Sequence, residues 1–277
     1  MKIVYFGNNL FSSCLEYLLE EGHQILRVYK NNSLHDSSIV TRLCERHGVA
    51  LYEHEPELRE LNHLISQGAE LFIVAEYSYL LPVTKVKYAI NIHPTLLPNG
   101  RGPTPLPYLI KLPKFSGVTI HKLCKNFDSG DIILQCKISH SIEESITTLM
   151  IKMHLKSVEL LKIFIEDVCG QYKSAIPQDN FSYWPKIDAS ERILDWSLSV
   201  EQLKTRIKCF GHIGLIIKLN DELWRTSHVE LIEYEHEFPL GNAIFEDDSI
   251  LAVSSLDGIV TIHKNSMSSM FMESIVS

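Results

Sequence analysis

The chain has 277 residues, of which 45% are hydrophobic and 22% charged, the balance of an ordinary globular protein and not of a disordered or fibrous one. Its net charge of −8 is unevenly spread: residues 191–277 carry 7 Lys and Arg against 14 Asp and Glu, and residues 1–190 carry 19 against 20. A C-terminal part this acidic repels phosphate backbones. The longest apolar runs, such as Leu71–Ala75 and Ile213–Ile217, fall far short of a membrane span, and the opening Met-Lys-Ile-Val-Tyr-Phe-Gly has too short an apolar core for a signal peptide. Cys14, Cys44, Cys124, Cys136, Cys169 and Cys209 are scattered without a Cys-x-x-Cys pair. That pattern suggests neither a disulfide framework nor a zinc site. The expectation is a reduced, cytoplasmic protein without a metal.

In chain order, Lys2–Gly7 reads as a strand, Gly7-Asn8-Asn9 as a turn and the stretch to Glu21 as an amphipathic helix. The turn lacks the Gly-x-Gly-x-x-Gly spacing of a dinucleotide cradle, so it is taken as a tight turn. Gln24–Tyr29 is a second strand, Ser37–His47 a helix ended by Gly48, Val49–Tyr52 a short strand and Leu58–Ser66 a third helix closed at Gly68. Leu71–Ala75 is continuously apolar, as a central parallel strand should be. A strand over 88–92 follows, then a proline-rich loop and a short helix near Leu106–Lys111. Alternating strands and helices predict an α/β fold, a doubly wound, mostly parallel sheet.

From Ser145 to Val168, Ile146, Leu149, Met150, Met153, Leu160, Leu161 and Phe164 fall near helical spacing, with Lys and Glu opposite, which predicts a long helix packed on the sheet. Tyr172–Ala189, with its prolines and amides, reads as a linker. Ser199 caps a helix that includes Val200, Leu203, Ile207 and Phe210. Short strands are predicted over 215–219, 230–234, 250–253 and 260–263, with Asp257-Gly258 as a hairpin signal, and 266–277 as a polar, loosely ordered end. The division expected is 1–184 and 185–277, the second part a small β-rich appendix.

The chemistry gathers around Asn91 and His93, two positions apart at the end of the 88–92 strand and hence on one face. Pro94, Pro98 and Asn99-Gly100-Arg101-Gly102-Pro103 then form a loop. Strand ends of open α/β sheets are where ligands bind. Farther on, Gly117-Val118 opens a strand carrying His121, and Asp128-Ser129-Gly130 makes a turn 35 positions after His93. Taken one at a time, Asn-x-His is more often a capped polar pair and Asp-Ser-Gly a plain β-turn. In this order and spacing, Asn91, His93, Leu96-Leu97-Pro98, Arg101-Gly102, Gly117-Val118, His121 and Asp128-Ser129-Gly130 resemble the signature of the N10-formyltetrahydrofolate-dependent formyltransferases. That family includes methionyl-tRNA, glycinamide ribonucleotide and nucleotide-sugar N-formyltransferases. The resemblance is strong over about 1–170 and weaker over 185–264, where Asp195-Trp196 and the following helix match members that carry a C-terminal domain.

The resemblance implies a Rossmann-like core, 10-formyltetrahydrofolate as co-substrate, and Asn91, His93 and Asp128 as the catalytic set. Asn91 would donate to the oxyanion that forms on the formyl oxygen. His93 would donate a second bond or take the amine's proton, its ordinary pKa being ~6.5, and Asp128 would orient His93; which of the two is the base stays open. Tyr79, Leu80 and Leu81, with Asp128, are expected at the folate, and Tyr77, Arg101, Pro103, Thr104 and His121 on the substrate side. Arg101 either anchors an anion or holds its loop, the loop role being favoured, and His121 either lines the acceptor or sits on a strand face. The other histidines are read as surface or packing groups.

The tRNA enzymes of the family carry a basic loop after the second strand and a basic C-terminal domain. Here the corresponding loop, 30–38, has one Lys and no Arg, and the C-terminal part is acidic. Glycinamide ribonucleotide enzymes lack a C-terminal domain. The acceptor expected is therefore a nucleotide-linked amino-dideoxy sugar, dTDP- or GDP-linked, for surface polysaccharide or lipopolysaccharide assembly, with aromatic and Arg residues of 184–192 available to a base or phosphate. Nucleic acid and membrane are not expected partners, and a homodimer fits relatives that pair through C-terminal elements. The alternatives are a methionyl-tRNA formyltransferase, a formyltetrahydrofolate hydrolase and a non-catalytic binding module.

Overall fold

The computed structural model describes residues 1–32, 38–141, 143–219 and 222–270. The chain divides into two compact units: Met1–Pro105, Leu112–Ser141 and Met150–Pro185 make the first, and Leu106–Lys111, Ile142–Leu149 and Lys186–Ser277 the second.

The first unit is built on strands β1 (Lys2–Gly7), β2 (Gln24–Tyr29), β3 (Leu51–Tyr52), β4 (Leu71–Ala75), β5 (Tyr88–His93), β6 (Gly117–Lys122) and β7 (Ile132–Lys137). They form one sheet in the order β3-β2-β1-β4-β5-β6-β7. The first five strands pair in parallel, and β5–β6 and β6–β7 pair antiparallel. This is the α/β architecture expected of the sequence. Every residue of β4 is buried, which is why it reads as an unbroken apolar run rather than an alternating one. From β3 the chain crosses over β1 to enter β4, so the order reverses beside β1, and the carboxyl ends of β1, β4 and β5 lie together where such sheets place their ligands.

The connecting helices are α1 (Ser12–Glu20), α2 (Ile39–His47), α3 (Leu58–Ser66), α4 (Pro105–Lys111), α5 (Ile146–Glu166) and α6 (Val168–Lys173). Helix α2 begins where the Ser38 hydroxyl accepts the Thr41 N–H at 3.0 Å and ends at Gly48 with φ +64, a left-handed turn that glycine takes without a Cβ penalty. On α5 the predicted apolar positions Ile146, Leu149, Met153, Leu160, Leu161 and Phe164 are all buried. The Gly7-Asn8-Asn9 turn serves the fold: the Asn9 side-chain oxygen accepts the N–H of Ile39 at 2.8 Å. Among the described residues no helix is long and apolar enough to cross a membrane, and the six cysteines are free thiols.

The second unit carries helix α7 (Val200–Phe210) and strands β8 (Leu215–Leu219), β9 (Glu222–Thr226), β10 (Val229–Glu233), β11 (Ala243–Glu246), β12 (Ile250–Ser254), β13 (Gly258–His263) and β14 (Ser268–Met270). They form two antiparallel sheets, β10-β13-β12-β11 and β14-β9-β8. Strands β9, β11 and β14 were not foreseen. β11 and β14 are short edge strands, and β11 has no buried residue while β14 has none either, so neither shows the apolar alternation that marks a half-buried strand. Ser268–Met270 corrects the reading of 266–277 as uniformly loose, while 271–277 lie outside the described residues.

Helix α7 starts with a capping box, in which Ser199 and Gln202 satisfy one another's backbone N–H groups. Replacing Ser199 by Ala should lower the stability of the second unit by about 1 kcal/mol, measured as a lower denaturant midpoint at unchanged slope.

Candidate active site

Because β5 and β6 run antiparallel with Asn91 opposite His121 and His93 opposite Thr119, one face collects Asn91, His93 and His121 on adjoining strands. Asp128 comes to this face from the turn between β6 and β7, where it has φ +52, a conformation costly for any residue with a Cβ. Its Oδ1 accepts a hydrogen bond from Asn91 Nδ2 at 3.0 Å and lies 3.3 Å from His93 Nδ1 and 3.6 Å from His121 Nε2. Its Oδ2 accepts the backbone N–H of Gly102 at 3.0 Å. The carboxylate is 7% exposed and His93 is 4% exposed, so the charges meet in a medium that screens them little.

The other His93 nitrogen, Nε2, is 2.8 Å from the carbonyl oxygen of Gly100. Facing a carboxylate on one side and a carbonyl on the other, the ring is best matched when both nitrogens carry a proton. Burial works against the charged ring, and the Asp128 carboxylate, aided by the Gly100 carbonyl, outweighs it, so the His93 pKa is raised. For Asp128 burial pushes the pKa up, but the His93 ring, by its charge and its hydrogen bond, holds it well below the usual carboxylate range. The stability supplied by His93 is therefore complete below ~6.5 and is lost as pH rises through its raised folded value. That supplied by Asp128 is complete above ~3.9 and is lost as pH falls through its lowered folded value. His121 Nδ1 donates to the Lys122 carbonyl at 2.9 Å, which leaves Nε2 to accept from Asn91 Nδ2 at 3.1 Å.

Asn91, His93, Asp128 and His121 are thus brought together. The remaining expected residues are spread around them. Tyr79 and Leu81 are partly buried on the core formed by Phe6, Tyr29, Phe72 and Tyr77, and Leu80 is exposed. The loop that carries them leaves β4, which pairs with β5 at Val74–Asn91, so it starts beside the cluster. Tyr77 is buried: its ring packs against Phe6 and Tyr79 and its hydroxyl donates to the His54 carbonyl at 3.4 Å. Pro103 is exposed, and the Thr104 hydroxyl donates to the Pro185 carbonyl at 3.5 Å.

Arg101 is buried, with its guanidinium bonded to Gln178 Oε1 through Nε at 3.1 Å and Nη2 at 2.9 Å and stacked 4.2 Å over the Phe181 ring. Its guanidinium thus ties the proline-rich loop to residues 178–181. Trp184 is also spoken for. It is 8% exposed, lies edge-on to Phe115, and its carbonyl occupies the space a Cβ on Gly102 would need, 2.0 Å away. Gln178 and Ser182 were missed: they sit in a polar stretch without periodicity, and nothing in such a stretch distinguishes a strap from a linker.

Comparison with known proteins gives the following. Residues 24–165, about half of the chain, match the formyl transferase family. A methionyl-tRNA formyltransferase of Coprothermobacter proteolyticus is 27% identical over 265 residues, covering 90% of this chain and 87% of that protein. Among solved structures, an N-formyltransferase from Helicobacter canadensis in complex with folinic acid and dTDP-3-aminofucose superposes with a TM-score of 0.63 at 20% identity, covering 95% of this chain and 98% of the other. HypX from Aquifex aeolicus in complex with tetrahydrofolic acid superposes with a TM-score of 0.70 at 18% identity over the whole of this chain, which spans 47% of HypX. At these identities the two structures speak for the fold.

The pairing of His93 with Asp128 is directly testable. In Asp128→Asn the His93 titration should move to lower pH, because burial then acts without the opposing carboxylate. An NMR pH titration of the ring carbons reads this, and an unmoved midpoint would mean that another charge governs His93.

Proposed function

The chain belongs to the formyl transferase family, and from that premise we propose that it transfers a formyl group from 10-formyltetrahydrofolate to the amino group of a nucleotide-linked amino-dideoxy sugar. The observation that carries the transfer reading is the cluster of Asn91, His93 and Asp128 at the carboxyl end of β5, joined by direct contacts through one carboxylate oxygen. The folate supplies a formyl carbon open to attack. Its side of the site fits the loop after β4, where Tyr79 and Leu81 offer partly buried apolar surface next to the strand of Asn91.

Attack by an amine places negative charge on the formyl oxygen and positive charge on the nitrogen; the adduct then collapses with cleavage of the bond from the formyl carbon to folate N10, and the proton lost by the amine ends on N10, so that tetrahydrofolate leaves neutral. Asn91 serves the first charge: one of its two amide N–H groups turns from His121 Nε2 to the oxygen while the other stays on Asp128. A preorganised donor of this kind contributes about 10²–10³ in rate. Asp128 serves the second, its buried anion offsetting the charge the nitrogen acquires. His93 keeps Asp128 ionised and fixed. It can take a proton from the amine only in its neutral form, having given up its N–H bond to Asp128 or to Gly100. Base chemistry and carboxylate anchoring thus compete for the same ring.

For the acceptor, charge supports the sugar nucleotide. Residues 191–277 carry 7 basic against 14 acidic side chains, and the single lysine of the 30–38 loop is not presented to solvent: Lys30 is 2% exposed and lies 2.8 Å from Glu53. Residues 33–37 of that loop lie outside the described residues. A nucleotide diphosphate needs only a few donors, whereas a tRNA stem needs a positive surface. The Helicobacter canadensis protein, whose structure includes dTDP-3-aminofucose, spans nearly the same length. The work would be cytoplasmic and would serve surface-polysaccharide or lipopolysaccharide assembly, with the enzyme acting as a homodimer. One observation favours methionyl-tRNA as acceptor instead, the 27% identity to the Coprothermobacter enzyme over almost its whole length.

The purified protein, given 10-formyltetrahydrofolate, a panel of dTDP- and GDP-linked 3-amino and 4-amino dideoxysugars and methionyl-tRNA in parallel, should add one formyl mass to one sugar and none to the tRNA. Turnover should fall by about 10²–10³ in Asn91→Ala and be lost in His93→Asn. Formylation of tRNA alone would replace the sugar reading, folate release without an acceptor would indicate a hydrolase, and no turnover would indicate a binding module.

A further inference from the structure

Residues 176–184, whose composition reads as a linker, are stitched to both sides of the cluster. Ile176 and Ile132 exchange backbone hydrogen bonds of 2.8 Å in each direction. Ser182 accepts the N–H of Gly100 on its hydroxyl at 2.9 Å and that of Arg101 on its carbonyl at 3.1 Å, and the Trp184 N–H donates to the Arg101 carbonyl at 2.7 Å. Gly100 and Gly102 are the residues whose carbonyl and N–H bond His93 and Asp128.

Gln178 sits at the middle of this strap with its amide saturated. Its Oε1 accepts both bonds from Arg101, and its Nε2 donates to the Asp128 carbonyl at 3.0 Å and to the Gly130 carbonyl at 2.6 Å. Two donors and two acceptor positions are all that a glutamine side chain has. The turn it grips needs gripping. Asp128 sits at φ +52, and Gly130 lies so close to the Lys122 carbonyl that a Cβ would come within 1.9 Å of its oxygen. A non-glycine residue stays in the left-handed region only where its surroundings over-determine it.

We propose that Gln178 is the positioning residue for Asp128, and that the anion-like partner of Arg101 is the Gln178 carbonyl oxygen and not a substrate phosphate. The inference deepens the transfer reading above and rests on it for the kinetic part only. Gln178 touches neither reactant; it acts by fixing where the carboxylate lies. Displacements of about 1 Å in such a group can cost 10²-fold.

Two variants separate the parts. Gln178→Glu retains the acceptor oxygens for Arg101 and loses the two donor bonds to the turn; Gln178→Leu loses both. Both should reduce kcat by about 10- to 100-fold with KM for donor and acceptor little changed. Both should also move the His93 NMR titration to lower pH as the carboxylate swings away from the ring. Arg101→Leu should weaken kcat less than Gln178→Glu and leave the KM for a sugar nucleotide unchanged. The titration needs no substrate, so it tells the two readings apart. A shifted titration in a protein that formylates nothing would uphold the positioning role and sink the transfer reading. Wild-type kcat and an unmoved titration in folded Gln178→Glu would overturn the positioning role whatever the acceptor, and a raised KM for the sugar nucleotide in Arg101→Leu would overturn the assignment of Arg101. Should the leucine variant fail to fold, the glutamate variant carries the test.

Discussion

Everything at the candidate site turns on where one carboxylate is held. Asp128 is buried, receives an amide N–H from Asn91 and a backbone N–H from Gly102, and lies against the His93 ring. An ion in such surroundings is costly unless its lone pairs are matched, and here they are matched from two other stretches of chain, the end of β5 and the proline-rich loop, which meet at the β6–β7 turn that carries Asp128. The carboxylate ties these stretches into one geometry, and two of the groups it engages, Asn91 and His93, are ones the proposed reaction employs.

The sequence exposed the parts of this arrangement that depend on local rules. The i, i+2 relation of Asn91 and His93 follows from strand pleating, and the apolar run of β4 follows from burial on both faces. What it could not expose was register. That His121 lies opposite Asn91 and near Asp128 depends on how β6 pairs with β5, a long-range choice that no window of residues encodes. Nor could the sequence show that the Tyr77 ring packs on Phe6 and Tyr79, since one backbone rotation after a strand decides between cleft and core. Glu76 just before it has φ +61, an irregularity that alternation cannot anticipate.

The reading of 172–189 as a linker failed in a more instructive way. Composition separates core from surface, but it does not separate a polar segment that hydrogen-bonds water from one that hydrogen-bonds protein. Gln178 and Ser182 are as polar as any linker residue, and the structure spends their polarity on carbonyls and N–H groups of the site. Helix α7 shows the opposite case: Ser199 was legible as its cap because the N–H group it accepts lies only three residues on.

The strap has a consequence for how such enzymes can be taken apart and recombined. A fragment ending at α6 would contain Asn91, His93, His121 and Asp128 and yet lack the backbone that keeps the Gly100–Gly102 loop against the Asp128 turn. A transplantable module that keeps this geometry thus extends through Pro185, the last residue of the first unit, and carries with it Leu106–Lys111 and Ile142–Leu149, which group with the second unit, so a graft onto a different C-terminal partner would have to accommodate those two segments as well as place its seam beyond Pro185.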